Sequence, residues 1–561
     1  MNHRKHQERH PRWRLLLTPV LLASLCLSLF GPILTEVGLT GWKTAYAGES
    51  FPSVLGDYAG ELREPRPRKD GIRHVDTTRM VRKLKELGVN TYVYLVWHAS
   101  TDWDDLRKEF LPAARKAGID VWVYLVPPSE ARSKQSEPFG TDYIAWFRAI
   151  GKLSQSHPNL KGVVMDDFNH NLSFFSPEYV SAMRKAGREM NPRLKFFPQI
   201  YYSAIRPELL QKYRSLMDGV VMTFRDGKFR NTQRTRELKK QIRHTSDMLK
   251  KEGLPFILMI HASKLSATPS NPSVRYVQTS MRVGLDHLRK GDIQGLITYV
   301  LQKEWFPERK DRTAYSGFGY GCLFVPPGHT PSPGDQGEIQ QQIRTDGSDQ
   351  YSLDLHHLSV HPRNLKKGQY VKQVLIDDKV VWEKDVRSRR PETWEKEHLN
   401  LAPYLKGKTV AVLTLRLQRK KEGTPVWFFT GFDQLEPKGF EVTNPGFEED
   451  AGWSYRSNHP GIIGETLVFD PKRRLRVYLT AMEMFALYHL WEDIKGSGSD
   501  PLRKDAEQLF QSVVENRNEQ SGHRLDRLIR RLESDSTLDP KQRNRILQQA
   551  KKLDHLLVIH P

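Results

Sequence analysis

The chain has 561 residues, a formal net charge of +21 and two cysteines, Cys26 and Cys322. Because Cys26 lies in an apolar N-terminal segment, at most one thiol remains in a processed chain, which excludes a fold held together by disulfides. The chain is long enough to be stabilised by hydrophobic cores instead. The positive charge favours polyanionic partners. No nucleic-acid-binding module is recognisable, so the expected partners are anionic cell-wall polymers or acidic polysaccharides, and not nucleic acid.

The N-terminal segment has the composition of an export signal. Residues 1–14 carry five arginines and lysines, residues 15–34 are mostly apolar, and Ala45-Tyr46-Ala47 provides a small-x-small pattern. These three features are typical of a secretory signal peptide, which we predict over residues 1–47. The mature protein is then expected to be secreted, extracellular or cell-wall associated, with no stable membrane insertion after the signal is removed.

Apolar runs alternate with helical patterns from residue 51 to residue 316. The predicted strands are 53–56, 90–97, 120–126, 160–165, 194–200, 218–224, 255–260 and 294–299. The predicted helices are 77–87, 104–117, 142–155, 177–190, 207–216, 232–251 and 274–290, with Asp76 and Ser176 as N-caps and Gly88 as a stop signal. Eight such units over about 250 residues predict a (β/α)8 TIM barrel. An open doubly wound sheet is the alternative, but the sequence lacks the Gly-rich loop typical of one.

Polar and aromatic side chains follow almost every predicted strand, where the active sites of such barrels lie. We predict that Asp166 and Asp167, after the fourth strand, are catalytic, since two close carboxyls can hold different protonation states. The predicted substrate-binding residues are Asp57, Trp97, His98, Asn169, Gln199, Tyr201, Arg225, Asp226, His261, Tyr299, Gln302 and Glu304. Aromatic faces stack on sugar rings while amides and acids bind hydroxyls. The pattern predicts a secreted glycoside hydrolase that cleaves a polysaccharide by carboxylate general acid/base catalysis.

Three segments resemble glycoside hydrolases of the chitinase-like and hexosaminidase-like superfamily. They are Asp166-Asp167 after the fourth strand, Met222-Thr223-Phe224-Arg225-Asp226 on the sixth, and Leu296-Ile297-Thr298-Tyr299 on the eighth. The resemblance covers roughly residues 51–305 and implies an amino-sugar substrate and a substrate-assisted mechanism. By resemblance, Asp166 would orient the acetamido group of the substrate and Asp167 would protonate the leaving oxygen.

The residues alone leave the division of catalytic roles open. Adjacent strand residues point to opposite faces, so Asp166 and Asp167 project together only if the strand has already ended. One of them could instead act with Glu130, Asp226 or Glu304. A retaining enzyme separates its two carboxyls by about 5 Å and an inverting enzyme by about 6.5–9.5 Å. The sequence does not decide between these arrangements.

Metal binding and non-catalytic functions are further alternatives. Asp166, Asp167 and His170 offer oxygen and nitrogen ligands. No H-E-x-x-H motif or spaced set of histidines and cysteines accompanies them, so we expect no metal and no cofactor. A non-catalytic polysaccharide-binding barrel and a cell-envelope interaction protein also fit the composition.

The character of the sequence changes after the barrel. Residues 317–339 are rich in glycine and proline and are predicted to form a linker. Short alternating strands predict an antiparallel β-sandwich over 340–470, either carbohydrate-binding or packed on the barrel. Residues 475–561 space their apolar side chains at three and four positions, which predicts a small C-terminal helical region.

Overall fold

The computed structural model describes residues 52–131, 136–225, 234–263, 272–304, 314–325, 329–449, 452–468 and 471–559. The predicted signal peptide over 1–47 lies outside these residues, and so does Asp226.

Eight parallel strands form a closed barrel, which confirms the predicted (β/α)8 architecture. The strands are β1 Val54–Tyr58, β2 Thr91–Val96, β3 Asp120–Leu125, β4 Leu160–Met165, β5 Lys195–Tyr201, β6 Val220–Thr223, β7 Phe256–His261 and β8 Gly295–Tyr299. Each strand pairs with its neighbours in sequence, and β8 pairs with β1 so that Tyr299 lies opposite Tyr58. The ends of the first and last strands therefore meet at the same rim.

Helices follow the strands and cover the outside of the barrel. They are α1 Thr77–Leu87, α2 Asp102–Asp105, α3 Leu111–Lys116, α4 Pro128–Ala131, α5 Tyr143–Ser156, α6 Pro177–Met190, α7 Pro207–Tyr213, α8 Leu238–Lys251 and α9 Val274–Arg289. The Asp76 carboxylate accepts a hydrogen bond from the Arg79 amide at 3.0 Å, and Gly88 ends α1 with φ 86°. Ser176 caps α6 in the same way. The predicted caps are thus confirmed.

Alternation along the strands separates two buried layers. Outward residues such as Leu55, Val123 and Leu258 join one hydrophobic core with the surrounding helices. Inward residues fill the barrel, where the Trp122 and Phe197 rings stack with centroids 4.4 Å apart. Both faces of the strands are therefore mostly apolar, as expected for a parallel barrel.

Two antiparallel sheets follow the barrel and confirm the predicted β-sandwich. Their strands are β9 Gly319–Val325, β10 Gln336–Thr345, β11 Ser352–Val360, β12 Tyr370–Ile376, β13 Lys379–Asp385, β14 Glu395–Asn400, β15 Val410–Arg419, β16 Phe428–Lys438, β17 Phe440–Glu441, β18 Ser454–Ser457 and β19 Ile463–Val468. One sheet has the order β13-β12-β15-β10-β17, with β18 beside β10, and the other β14-β11-β16-β9-β19. A short helix, α10 Ala402–Leu405, lies between β14 and β15.

The predicted linker over 317–339 contains part of this sandwich. Strand β9 lies between β16 and β19, and every one of its residues is buried. The sequence obscured the strand because Gly319 and Gly321 have low strand propensity and lie between Gly/Pro-rich segments. These glycines are needed for packing: a Cβ at Gly319 would lie 2.1 Å from the Phe447 carbonyl oxygen.

A C-terminal helix takes the place of the eighth barrel helix. Helix α11, Pro471–Lys495, packs against α9 and α1, which are the helices after β7 and β1. Its Phe485 and Leu490 belong to the same hydrophobic core as the barrel. The Tyr478 hydroxyl donates to the Lys83 carbonyl at 3.2 Å, and the His489 ring contacts the Gly88 carbonyl at 2.7 Å. The sandwich is therefore inserted between β8 and its helix.

The remaining helices extend this outer layer. They are α12 Asp500–Val514, α13 Asn518–Ser534 and α14 Pro540–Ile559. Glu507 on α12 pairs with Arg289 at the end of α9. The predicted region over 475–561 is helical, but α11 belongs structurally to the barrel. Among the described residues, none of the helices combines the length and hydropathy that a membrane span requires.

Candidate active site

Inward-facing aromatic side chains form the floor of the barrel mouth. The Tyr58 ring stacks on Tyr299, with centroids 5.4 Å apart, and meets Tyr124 edge-on at 4.9 Å. His261 at the end of β7 lies edge-on to Tyr299 at 5.0 Å. These residues occupy the last or next-to-last position of their strands. The predicted rim residues His261 and Tyr299 are therefore neighbours here.

Asp166 stands over this aromatic floor as the first residue after β4. The Tyr124 hydroxyl donates a hydrogen bond to its Oδ2 atom at 2.8 Å. Desolvation by the surrounding side chains raises the pKa of Asp166, and the charges of Asp167 and Glu130 raise it further, to about 7. The Tyr124 hydrogen bond opposes this rise without cancelling it. At neutral pH a large fraction of Asp166 therefore carries a proton.

Asp167 lies where the strand alternation has ended. Its backbone adopts the left-handed conformation, with φ 44° and ψ 33°, which Asp tolerates better than most residues. Burial alone would raise its pKa. The His170 ring, the Tyr201 hydroxyl and the Arg225 charge stabilise the carboxylate and lower the pKa below its ordinary value. Two adjacent carboxyls thus have opposite pKa shifts. Asp166 is desolvated beside two other carboxylates, whereas hydrogen bonds and the Arg225 charge stabilise the ionised form of Asp167.

Arg225 and Tyr201 form the charged side of the mouth. The Arg225 guanidinium lies over the Tyr201 ring, with its central carbon 3.5 Å from the ring centroid, a cation–π arrangement. The His170 ring stacks on Tyr201 at 5.0 Å and points its Nδ1 atom toward Asp167 at 3.6 Å. The predicted residues Tyr201 and Arg225 are therefore brought together with Asp167.

Buried amides hold the loop after β4 in place. The Gln199 side chain, fully buried on β5, accepts a hydrogen bond from the Asp167 amide at 2.9 Å and donates to Thr223 at 2.7 Å. Asn169 accepts one from the Tyr201 amide at 3.0 Å. Gln199 and Asn169, predicted to bind substrate, both form these positioning contacts.

Asn171, which was not predicted, ties the loop to its neighbour. It donates to the Asp167 carbonyl at 3.0 Å and accepts from the Ser129 amide after β3 at 3.0 Å. Glu130, in the same β3 loop, lies close enough to Asp166 to raise its pKa. Of the two alternative partner carboxylates that the structure describes, Glu130 is therefore near Asp166, whereas Glu304 pairs with Arg79.

His261 is buried and neutral at the bottom of the mouth. It is 0% exposed, and burial together with the Arg225 charge lowers its pKa to about 3. Within the described part of the chain, neither of its ring nitrogens has a hydrogen-bond partner. A buried imidazole with free donor and acceptor capacity is suited to bind a ligand hydroxyl that enters the mouth.

Asp57 does not reach this group of residues. It faces outward from β1, is fully buried, and pairs with the equally buried Lys303. Thr298 donates to its Oδ1 atom at 2.8 Å, while Lys303 also donates to the carbonyls of Ala59 at 3.2 Å and Gly60 at 3.0 Å. Asp57 thus fixes the chain after β8 to the end of β1, which is a structural role and not the predicted contact with substrate.

Glu304, Gln302 and His98 lie around the rim. Glu304 pairs with Arg79 on α1, and the Gln302 amide donates to Ser263 at 3.3 Å. His98 pairs with Glu61 and is 48% exposed in its side chain. Each of these residues is held by another part of the protein outside the Asp166–Asp167 group.

Trp97 connects that rim to the floor. Its ring stacks on His98 at 5.3 Å and lies 6.0 Å from Tyr124. Trp97 is partly exposed. This position is compatible with the predicted stacking of Trp97 on a sugar ring. The neighbouring Tyr124 was not predicted as a site residue, because it lies within an apolar strand pattern.

A second cluster of polar side chains lies in the sandwich. Among the described residues, His357, Glu395 and Glu397 offer ligand atoms within 4.8 Å of one another. The Lys384 ammonium donates to both glutamates at 2.7 Å, and the Lys372 ammonium lies 2.8 Å from His357 Nδ1. The lysines satisfy the carboxylates, so the cluster is a charge network in its present form.

No family model matches this chain, and a comparison with curated proteins finds no match. Solved structures share the barrel at a low level of similarity. The GH53 catalytic domain of Ignisphaera aggregans is 13% identical, with 47% of this chain and 88% of that chain covered and a TM-score of 0.32. The GH99 endo-alpha-mannosidase of Bacteriodes thetaiotaomicron is 12% identical, with coverages of 45% and 84% and a TM-score of 0.33. A glucosidase from Croceicoccus marinus is 9% identical, with coverages of 66% and 96% and a TM-score of 0.32.

These neighbours are glycoside hydrolases by their descriptions, but identities and TM-scores of this size carry no argument about the site. The chemistry of this chain therefore has to be inferred from its own residues.

Proposed function

We propose that this protein is a glycoside hydrolase in which Asp166 and Asp167 carry the chemistry. The observation that carries the proposal is the opposite pKa shift of the two adjacent carboxyls at the mouth of the barrel. Pairs of titratable groups whose environments push their pKa values apart are suited to acid and base roles. Around them, the phenols, the Trp97 ring and the His261 imidazole provide surfaces for a sugar ring and its hydroxyls.

In the proposed mechanism Asp166 is the general acid. Its proton passes to the glycosidic oxygen as the bond between that oxygen and the anomeric carbon breaks. Asp167, ionised, stabilises the positive charge that develops on the sugar. On an N-acetylated sugar it would also accept a hydrogen bond from the acetamido N–H while the acetamido oxygen attacks the anomeric carbon. Water then opens the intermediate and returns a proton to Asp166.

This assignment exchanges the two roles that the family resemblance implies. The reason is local. Burial and two neighbouring carboxylates raise the pKa of Asp166, whereas His170, Tyr201 and Arg225 lower the pKa of Asp167. A carboxyl beside a cation stays ionised at neutral pH and has no proton to donate. The exchange can be tested because a general acid is dispensable for an activated leaving group.

The experiment compares Asp166→Asn and Asp167→Asn on two substrates with the same sugar. One carries a poor alkyl leaving group and the other a nitrophenyl group. General acid catalysis contributes about 10²–10⁴-fold, so Asp166→Asn should lose that factor on the alkyl glycoside and far less on the nitrophenyl glycoside. Asp167→Asn should lose activity on both, and the reverse pattern would restore the roles implied by the resemblance.

The substrate class is tested with the unmodified protein. Release of new reducing ends from a panel of neutral, amino-sugar and acidic polysaccharides would support the hydrolase. Binding without cleavage would instead indicate a polysaccharide-binding barrel, and neither would indicate an interaction protein of the cell envelope. Export is proposed from the segment before Gly48, and N-terminal sequencing of secreted protein that found residues 15–34 intact would contradict it.

A further inference from the structure

A pocket of about 780 Å³ lies between the barrel and the sandwich. On the barrel side it is lined by the segment before α8 and by the first turn of α9, which follow β6 and β7. On the other side it is lined by β18 and β19 of the sandwich. In a parallel barrel the helices begin at the same end at which the strands finish. The pocket therefore opens on the face of the barrel that carries Arg225 and His261.

The barrel side of this pocket concentrates positive charge. Arg234, Arg236 and Arg275 line it, and none of the described residues forms an ion pair with any of the three. Arg275 lies in the first turn of α9, whose backbone amides already give that end a positive potential. Neither α8 nor α9 has an acidic residue in its first turn, and Glu237 at the N-cap of α8 pairs with Lys240. A cation at a helix N-terminus is unfavourable by itself, so this arrangement favours a bound anion.

The sandwich side supplies polar and aromatic surface. Arg456 is anchored on the buried Glu338, so its charge is compensated. The acidic residue in the lining, Glu465, is 2% exposed. Tyr455 is partly exposed in the wall, with its hydroxyl bonded to Thr466. An aromatic ring beside uncompensated arginines matches a charged sugar better than a free inorganic ion, because the ring can contact the apolar face of a pyranose.

We propose that this pocket binds a carboxylate- or sulfate-bearing sugar unit of the polysaccharide whose adjoining units occupy the barrel mouth. The proposal rests on the proposed function, since it names the substrate class of that same site. The volume of the pocket lies within the range of sites that hold a small ligand, about 300–1,000 Å³. Arginine provides the planar donor set that pairs with carboxylate or sulfate oxygens.

The test replaces the three arginines together and compares the result with a matched control. The pocket variant is Arg234→Ala/Arg236→Ala/Arg275→Ala. The control is Arg148→Ala/Arg193→Ala/Arg527→Ala, three exposed arginines outside the pocket lining. Both remove three positive charges, so they change the overall field of the protein equally. Both are made in the full chain with Asp166→Asn, which prevents cleavage during the measurement.

Binding is measured by fluorescence anisotropy with four labelled probes of similar length. They are oligogalacturonate, sulfated dextran, neutral dextran and an oligothymidylate. We expect the pocket variant to bind its preferred acidic glycan at least about tenfold more weakly, and the control to bind it as the parent does. Tighter binding of oligogalacturonate would identify a carboxylate, and tighter binding of sulfated dextran a sulfate. The binding of neutral dextran should be the same in the pocket variant, in the control variant and in the parent.

Three results would overturn the inference. Equal losses of affinity for the acidic glycan in the two triple variants would show that binding depends only on the net charge of the protein. No loss in either variant would exclude the pocket. Oligothymidylate bound as tightly as the acidic glycans, through the same three arginines, would indicate a nucleic-acid ligand instead. Failure of the proposed function looks different: the wild-type chain would release no reducing ends from any polymer, although the arginine-dependent binding persisted.

Discussion

Replacement of Asp166 by Asn should stabilise the protein increasingly as the pH rises from about 4 to about 8. The pKa of Asp166 is about 7 in the folded chain, against an ordinary value of 3.8. When the pKa of a carboxyl is higher in the folded chain than in the unfolded chain, protonation of that carboxyl stabilises the fold at pH values below the unfolded pKa. This stability is lost as the pH rises through the folded pKa. Each pKa unit corresponds to about 1.4 kcal/mol, so ionising Asp166 costs about 4 kcal/mol of folding free energy by pH 8. An asparagine has no such cost.

The measurement is the urea midpoint of the wild-type chain and of Asp166→Asn from pH 4 to pH 9. The two midpoints should be close at pH 4, and the variant should gain progressively to pH 8. Asp167→Asn is the matched control, because the pKa of Asp167 is lowered by His170, Tyr201 and Arg225. The ionised Asp167 carboxylate stabilises the fold at pH values above its unfolded pKa, and this stability is lost as the pH falls. The Asp167→Asn variant should therefore be less stable than wild type at neutral pH. A midpoint difference between Asp166→Asn and wild type that does not change with pH would refute the assignment of the proton.

The remaining predictions concern activity and the frame of the barrel. The value of kcat/KM should fall above about pH 7, as Asp166 loses its proton. Tyr124→Phe should move this decrease to higher pH, because it removes the hydrogen bond that lowers the pKa of Asp166. An unchanged pH profile in this variant would contradict the contact. Lys303→Met should lower the free energy of unfolding by about 3–5 kcal/mol, because it leaves Asp57 buried without its partner. The double variant Asp57→Asn/Lys303→Met should regain part of that loss in urea titrations, and a double variant no more stable than the single one would exclude the ion pair as the cause. Phe485→Ala should lower the free energy of unfolding by about 3–5 kcal/mol. A chain that ends at residue 333 lacks α11 and should not give a folded barrel by circular dichroism. A folded, monomeric product would show that α11 is dispensable.

The barrel could be predicted from the sequence because its signals are local. Each strand is a short apolar run, and several helices have a side-chain cap, as Asp76 shows for α1. The sandwich was predicted from its alternating strands in the same way. Strand β9 was missed because Gly319 and Gly321 were read as part of a loop, although their small size is required by the packing of Phe447.

The eighth helix could not be predicted because its signal is not local. About 170 residues separate the end of β8 at Tyr299 from the start of α11 at Pro471. The apolar residues of α11 cover more than one face, as a helix packed between neighbours requires. Tertiary contacts, such as those of Tyr478 with Lys83 and of His489 with Gly88, show where the helix belongs. A sequence pattern indicates that a helix forms, but it does not indicate which strand it completes.

The site was predicted in part, for a related reason. Strand ends identified Asp166, Asp167, Tyr201 and Arg225, and the structure brings these together. Asp57 was placed with them because it also ends a strand, but alternation from Leu55 turns it outward. The difference between the two aspartates at β4 depends on which neighbours face each of them, and that information lies on β3, β5 and β6.

The insertion of the sandwich gives the mouth a fixed neighbour. The chain leaves the barrel after β8 where Lys303 is held by Asp57 and by backbone carbonyls, and it returns in α11, which is packed between α1 and α9. Both ends of the inserted domain are thus anchored in the barrel core. Anchoring at two points restricts how β18 and β19 move relative to the loops after β6 and β7. A polysaccharide held in the arginine pocket would therefore meet the mouth in a limited set of positions, which reduces the ordering that binding requires. Loss of the pocket arginines should therefore raise KM for a long acidic polymer while leaving kcat for a short neutral glycoside unchanged.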